Sequence, residues 1–278
     1  MKRPKSICVA ALLLAMAAPG PALGQSADAL LRRVGAEADA RVQRVNSYTV
    51  EMSGLASTVT LYTVRRAPSS PLFQVQFGAS GSLGASATDF AWGDIFQLML
   101  QQTLERARRD RRLFQVGTAE ISGVPVHVVT HSFPQRSRSP GGDAPQRLTA
   151  YYDTTTLLAR KIEWVVKRAD GVDVQVAVEY DDYRPVQGMQ IAFRRRRVTR
   201  GLRATLGDAA IARMQSSIDA LRADLPRQPQ AVQIQSTKMI EALDGVLTRD
   251  ELVSEMTVTS VVVNQGPPAG VQLTTLGP

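Results

Sequence analysis

Cysteine is nearly absent from this sequence, which has one, and histidine and tryptophan occur only twice each. The cysteine, Cys8, lies in the first few residues. The rest of the chain therefore has no disulfide framework, no thiolate nucleophile and no cysteine-based metal site. The histidines, His127 and His131, are four apart in a segment that alternates like a strand. That spacing puts them on one face but about 13 Å apart, too far to share a metal ion. They are read as polar residues of an outer sheet face. No H-E-x-x-H motif and no phosphate-binding glycine motif occurs, and "GASGS" at 78–82 fails the nucleophile-elbow pattern at Ser82. No catalytic residue, metal or cofactor is expected, and the chain is read as a non-enzyme.

Long apolar runs are also missing, with one exception at the N-terminus. Lys2, Arg3 and Lys5 precede the apolar stretch Ile7–Ala18, which Pro19, Gly20 and Pro21 break. The stretch is about a dozen residues, short for a membrane span, and Ala22-Leu23-Gly24 supplies small residues for cleavage. Residues 1–24 are thus expected to be a secretory signal peptide, cut after Gly24, with the mature chain in the periplasm. The formal net charge of the whole sequence is +8, and three of those cations lie in the leader. The chain remaining is long enough to be held by its own core.

What is present is a succession of periods. Ala27, Leu30, Leu31, Val34, Ala38, Val42 and Val45 form one apolar stripe behind Ser26, a helix of about twenty residues. Alternation by two follows in "SYTVEMSG", "TVTLYTVRR" and "PLFQVQF". Residues 78–87 read as a loop. A second helix is expected over Asp89–Arg112, with Trp92, Ile95, Phe96, Met99, Leu100 and Leu104 on its apolar side. Strands return around the "ISGV" turn and continue through "RLTAYYD", "ARKIEWVVKR" and "DVQVAVEYDDYR", with Asp170-Gly171 as a hairpin turn. Beyond Gly201 the period is helical again, clearly at Ile211, Met214, Ile218, Leu221 and Leu225, less clearly at Ile234, Met239, Ile240, Leu243 and Leu247. A helical hairpin is expected at about 203–253, packed on itself or on the sheet, or else serving as a lid or docking arm. The strand "EMTVTSVVVN" ends the pattern.

Two charged stretches invite a functional reading. In "DDYRPVQG", Asp181 and Asp182 are adjacent, so an extended chain points them to opposite faces. They are poorly placed as an acid–base pair and read as part of a strand connection around Pro185 and Gly188. Arg194, Arg195, Arg196 and Arg197 send charge to both faces of the next strand. Arg195 and Arg197 continue the register of Ile191 and Phe193, so the strand is expected to leave the core by about Arg194. The run is then either a solvated strand end or a patch for phospholipid head groups, lipopolysaccharide or an acidic protein face. Nucleic acid is a poor partner for an exported chain, and the run lacks interleaved aromatic residues.

Three stretches, "FQVGTAEISGVPVHVVTHSF", "LTAYYDTTTLLARKIEWVVKRADG" and "YDDYRPVQGMQIAF" with the later "VTSVVVNQGPP", together resemble the LolA-like outer-membrane lipoprotein carrier and sorting proteins. The resemblance spans most of 27–200 and 255–268. It implies an α+β fold in which a strongly curved, half-open antiparallel sheet wraps around helices, with residues 25–278 as a single domain and the 203–253 hairpin as an insertion. It also implies an apolar cavity for lipid or lipoprotein acyl chains, for which Trp92, Phe96, Leu100, Tyr152, Trp164 and Phe193 are the candidate lining. The partners so implied are lipids or lipoproteins, with an anionic membrane surface or an inner- or outer-membrane protein alongside. A second expectation on the same fold is an interaction or sensor protein that binds a protein partner through the hairpin. The chain departs from the family's pattern in the helical middle stretch and in the insertion itself.

Overall fold

The computed structural model describes residues 27–54, 58–65, 73–80, 114–132, 144–168, 171–269 and 274–275. The leader, Trp92, Phe96, Leu100 and the rest of the expected 89–112 helix lie outside them.

Helix α1 (Ala27–Val42) forms where the apolar stripe predicts it. Leu30, Leu31, Val34, Ala38 and Val42 are all buried. Full burial of a Val or Leu side chain contributes about 1.5–3 kcal/mol, so this stripe anchors the helix on the sheet. The strands are β1 (Ser47–Gly54), β2 (Thr58–Arg65), β3 (Phe73–Ser80), β4 (Phe114–Ile121), β5 (Val124–Ser132), β6 (Ala144–Asp153), β7 (Ala159–Lys167), β8 (Asp173–Val186), β9 (Met189–Arg200), β10 (Glu251–Val263) and β11 (Thr274–Thr275). Strand β3 takes in residues 78–80, which composition alone read as loop.

These strands make one antiparallel sheet in the order β11-β3-β2-β1-β10-β9-β8-β7-β6-β5-β4. The order is linear, so among the described residues the sheet does not close. The expected antiparallel α+β architecture is what forms. Neighbours in the sheet are neighbours in sequence except at β10, which is inserted between β1 and β9, and at β11, which pairs with β3. Asn264, just past β10, ties the join: its Oδ1 accepts from the Asn46 N–H at 2.7 Å and its Nδ2 donates to the Arg44 carbonyl at 3.0 Å.

One sheet face, here called inner, carries the main core. Side chains alternate across a strand, and residues directly opposite on neighbouring strands share a face. Val129, Ala150, Ile162 and Val178 line up in this way across β5–β8 and join the α1 stripe in a single core cluster. Helix α1 is 16 residues, about 24 Å long, whereas ten strand spacings make the sheet about 48 Å wide.

Between β9 and β10 the chain forms the expected hairpin, α2 (Asp208–Asp224) and α3 (Gln230–Arg249). It builds a small core of its own from Ile218, Ile240 and Leu247, with Ile211, Met214, Leu221 and Leu243 around them. Helix α3 also packs on β10. Glu251, Val253, Glu255 and Thr257 of β10 lie opposite α3 residues Lys238, Glu241 and Ala242. These β10 residues alternate with Met256 and Val258, which belong to the main core, so the hairpin sits on the outer face of the sheet. None of the described helices is long and apolar enough to cross a membrane.

Candidate ligand-binding face

The turn at "VQG" reverses the chain between β8 and β9. Gln187 and Gly188 both take positive φ, 48° and 92°, the signature of a tight two-residue hairpin turn. Asp181 and Asp182 therefore lie inside β8, before the reversal, and not in the turn. Asp182 has φ 54° and the ladder skips its pair with Phe193, without a change of register. Each carboxylate is committed to an arginine. Asp181 accepts from Arg194, and Asp182 accepts from Arg184 at 2.6 and 3.0 Å. The Arg194 hydrogen bond, with the Asp182 N–H, holds the Asp181 carboxyl below its usual range.

The arginine run is not a strand end. Strand β9 continues to Arg200, paired with β8 on one side and β10 on the other. The four arginines divide by face. Arg194 and Arg196 point outward, where Asp181 and Glu179 sit directly opposite them on β8 and Glu255 opposite Arg196 on β10. These are exposed pairs and contribute little stability. Arg195 and Arg197 point inward, and Arg195 is only 3 % exposed. The expectation that the strand leaves the core at Arg194 is overturned, because a strand held on both sides keeps its alternation. Arg195 is accordingly no part of a surface patch.

His131 is a second correction. It lies on the inner face, opposite Leu148, and is 1 % exposed. His127 shares that face, opposite Tyr152, and is half-buried. Both have lowered pKa values, chiefly because burial disfavours the charged ring, with Arg33 adding to the effect at His127. A histidine held neutral in the fold and protonated when unfolded destabilises the protein as pH falls below its unfolded pKa of about 6.5. Stability is therefore expected to decline between about pH 6.5 and 5, and His131→Phe to flatten the slope. Urea midpoints of both proteins at several pH values check this. An unchanged slope in the variant would assign the effect elsewhere.

The apolar candidates among the described residues separate in space. Tyr152 is buried near Tyr180 inside the filled core, and burial pushes its phenol well up. Trp164 and Phe193 are half-buried at the margin of that core, as are Leu148 and Met256. Trp164 faces Leu148 on β6 and Val176 on β8, and Val176 faces Thr199 on β9. Six residues of β9 separate Thr199 from Phe193, about 20 Å. Phe193 is instead capped by the Arg184 guanidinium, 4.5 Å from its ring centre. Trp164 and Phe193 thus mark two regions of the inner face and do not share one pocket.

A cavity of about 420 Å³ lies on the other side of the sheet, between α3, β10 and the end of β1. Its walls include Ser53, Lys238, Glu241, Arg249, Glu251 and Glu255. It is polar, unlike the apolar cavity expected for acyl chains. Among the described residues no group of three or more His, Cys, Asp or Glu side chains is placed to hold a metal ion.

No known protein-family model matches the sequence, and no curated protein matches it significantly. Among solved structures the chain is similar to a "putative outer membrane lipoprotein-sorting protein domain" from Vibrio parahaemolyticus. The sequence identity is 9 %, the TM-score 0.39, and the match covers 86 % of this chain and 95 % of that one. At that score and identity the likeness carries no argument about what this chain binds.

Proposed function

We propose that this chain is a periplasmic, non-enzymatic carrier or binding protein that holds an acyl chain of a lipid or lipoprotein against the inner face of its open sheet. The observation that carries this reading is a mismatch of sizes. A helix of about 24 Å lies on a sheet of about 48 Å, and Leu148, Trp164, Phe193 and Met256 on that face stay half-buried. An apolar face wider than its helix has room for a second cover. An acyl chain laid on that face would gain about 0.8 kcal/mol for each methylene it buries. The leader-like N-terminus supports the periplasmic part of this reading.

Native mass spectrometry of the protein purified from the periplasm tests the proposal. The expected spectrum contains a chain beginning at Gln25 with a lipid-sized adduct. A chain that carries no adduct, even after incubation with a lipid extract, would overturn it. The exposure of Val232 (41 %) and Ile234 (54 %) on α3 favours a second reading, in which the hairpin binds a protein partner and the inner face is filled by side chains. The same spectrum separates the two, since only the carrier brings a lipid.

A further inference from the structure

The two ends of the sheet are finished differently. At one end stands β11, a strand of two residues. At the other stands β4, eight residues paired with β5 along their whole length without a register shift. Among the described residues no strand lies beyond it. Natural sheets blunt an edge with a very short strand, a lysine, a proline or a bulge. The first of these devices is present at β11. Strand β4, with the sequence FQVGTAEI, has none of them, and Glu120 is its one charge. Gln115, Val116, Gly117, Thr118, Ala119 and Glu120 are all exposed, which takes in both faces of the strand.

Which backbone groups face the free edge follows from the turn into β5. Ser122 and Gly123 both take positive φ, 50° and 81°, the mark of a two-residue hairpin turn. The residues flanking such a turn, Ile121 and Val124, exchange both hydrogen bonds, and the exchange recurs at every second residue. Gln115, Gly117, Ala119 and Ile121 therefore bond to β5. Phe114, Val116, Thr118 and Glu120 hold their N–H and C=O groups toward the free edge, and that set is symmetric about Gly117. We propose that this edge pairs with the same edge of a second copy of the chain, antiparallel, on a two-fold axis through Gly117. Phe114 then meets Glu120 and Val116 meets Thr118, so every free backbone position of the edge is used, in about eight hydrogen bonds. The two Gly117 residues form a non-hydrogen-bonded pair, with Cα atoms about 4.5 Å apart. The two Glu120 residues stand about 20 Å apart, well beyond the screening length of about 8 Å. A two-fold contact of this kind is closed, and the far ends carry the two-residue β11, so assembly stops at a dimer.

Sedimentation equilibrium of the full mature chain tests the pairing, and cysteine variants test its register. The native mass is expected to rise with concentration from one chain to two and no further. Thr118→Pro removes an N–H that the second copy uses and β5 does not, so the dissociation constant should rise about tenfold while the fold is kept. Val116→Lys places a charge on the edge, should act in the same direction, and serves if the proline variant fails to fold. The one cysteine of the sequence is Cys8, in the leader, so a cysteine introduced into the mature chain is its single thiol. A side chain at Gly117 meets nothing within 4 Å. Gly117→Cys should therefore fold and, on mild oxidation, form a disulfide between copies, since a Cα separation of about 4.5 Å is within disulfide range. Ala119→Cys should stay unlinked, because the two copies' residues stand about 14 Å apart. A mass of one chain at every concentration up to about 1 mM would overturn the proposal, as would a dimer that both edge variants leave intact. Cross-linking through Ala119→Cys in place of Gly117→Cys would overturn the axis at Gly117.

Discussion

Gly201→Ala is expected to destabilise the protein by about 3 kcal/mol or more, whereas Gly171→Ala should cost about 1 kcal/mol. Both glycines have positive φ, 85° and 88°. An alanine at either position is forced into the left-handed region, which costs about 1–2 kcal/mol for an L-residue. The difference lies in what the new methyl group meets. At Gly171 nothing is within 4 Å. At Gly201 the Cβ would stand 2.4 Å from the Asp173 carbonyl oxygen, with the Val174 Cα also close. The obstacle is backbone at the start of β8, so no side-chain rotation relieves it. The expected result in urea unfolding is a large drop in midpoint for Gly201→Ala and a small one for Gly171→Ala. Equal shifts would mean that the hairpin base yields and that the close approach is not a constraint.

Asp153→Ala is expected to cost about 3 kcal/mol, the range for removing one partner of a buried hydrogen-bonded charge. Asp153 is 5 % exposed at the end of β6. Its Oδ1 accepts from the Thr155 and Thr156 N–H groups, both at 2.9 Å, and its Oδ2 accepts from Arg160 at 2.9 and 3.2 Å. Burial works against the charged form, but the Thr156 N–H, Arg160 and the Thr155 N–H outweigh it and hold the carboxyl below its usual value. Its contribution is thus present above the unfolded aspartate pKa of about 3.9 and is lost as pH falls through the folded value. Thermal unfolding of the two proteins should therefore differ most near neutral pH and converge in acid. A gap that stays constant down to pH 2 would mean that the turn hydrogen bonds, and not the charge, supply the stability.

Much of this fold is legible in the sequence where contacts are local. The α1 stripe, the "ISGV" turn and the hairpins from β6 to β9 follow from periodicity and turn residues. The second hairpin helix is blurred in sequence because its apolar residues are sparse before Met239, with Gln230, Gln233 and Gln235 among them, yet α3 runs unbroken over Gln230–Arg249. Strand β10 begins at Glu251, sooner than its alternation shows, because Asp250 ends α3 in the left-handed conformation and the chain turns at once. The inner-face residues were harder to read. His131 keeps step with Val129, and Arg195 with Phe193, so the register was visible in both cases. Polarity argued for the outside, and only the pairing of β5 and β9 on both sides decides that they stay inside. Nothing in the sequence marks β10 as the neighbour of β1, since that pairing is made over more than two hundred residues.

The insertion of β10 between β1 and β9 also orders events in time. As the chain emerges, N-terminus first, β1–β3 can meet early and β4–β9 can follow as hairpins, all through contacts close in sequence. The two parts have no strand in common until β10 arrives. Until then β1 and β9 each present an unpaired edge, open to pairing with other chains. Joining them closes a loop of about two hundred residues, the kind of distant contact that slows folding. A chain stopped before Glu251 would be two sheets joined by no strand, and the sheet becomes continuous only when that last stretch arrives.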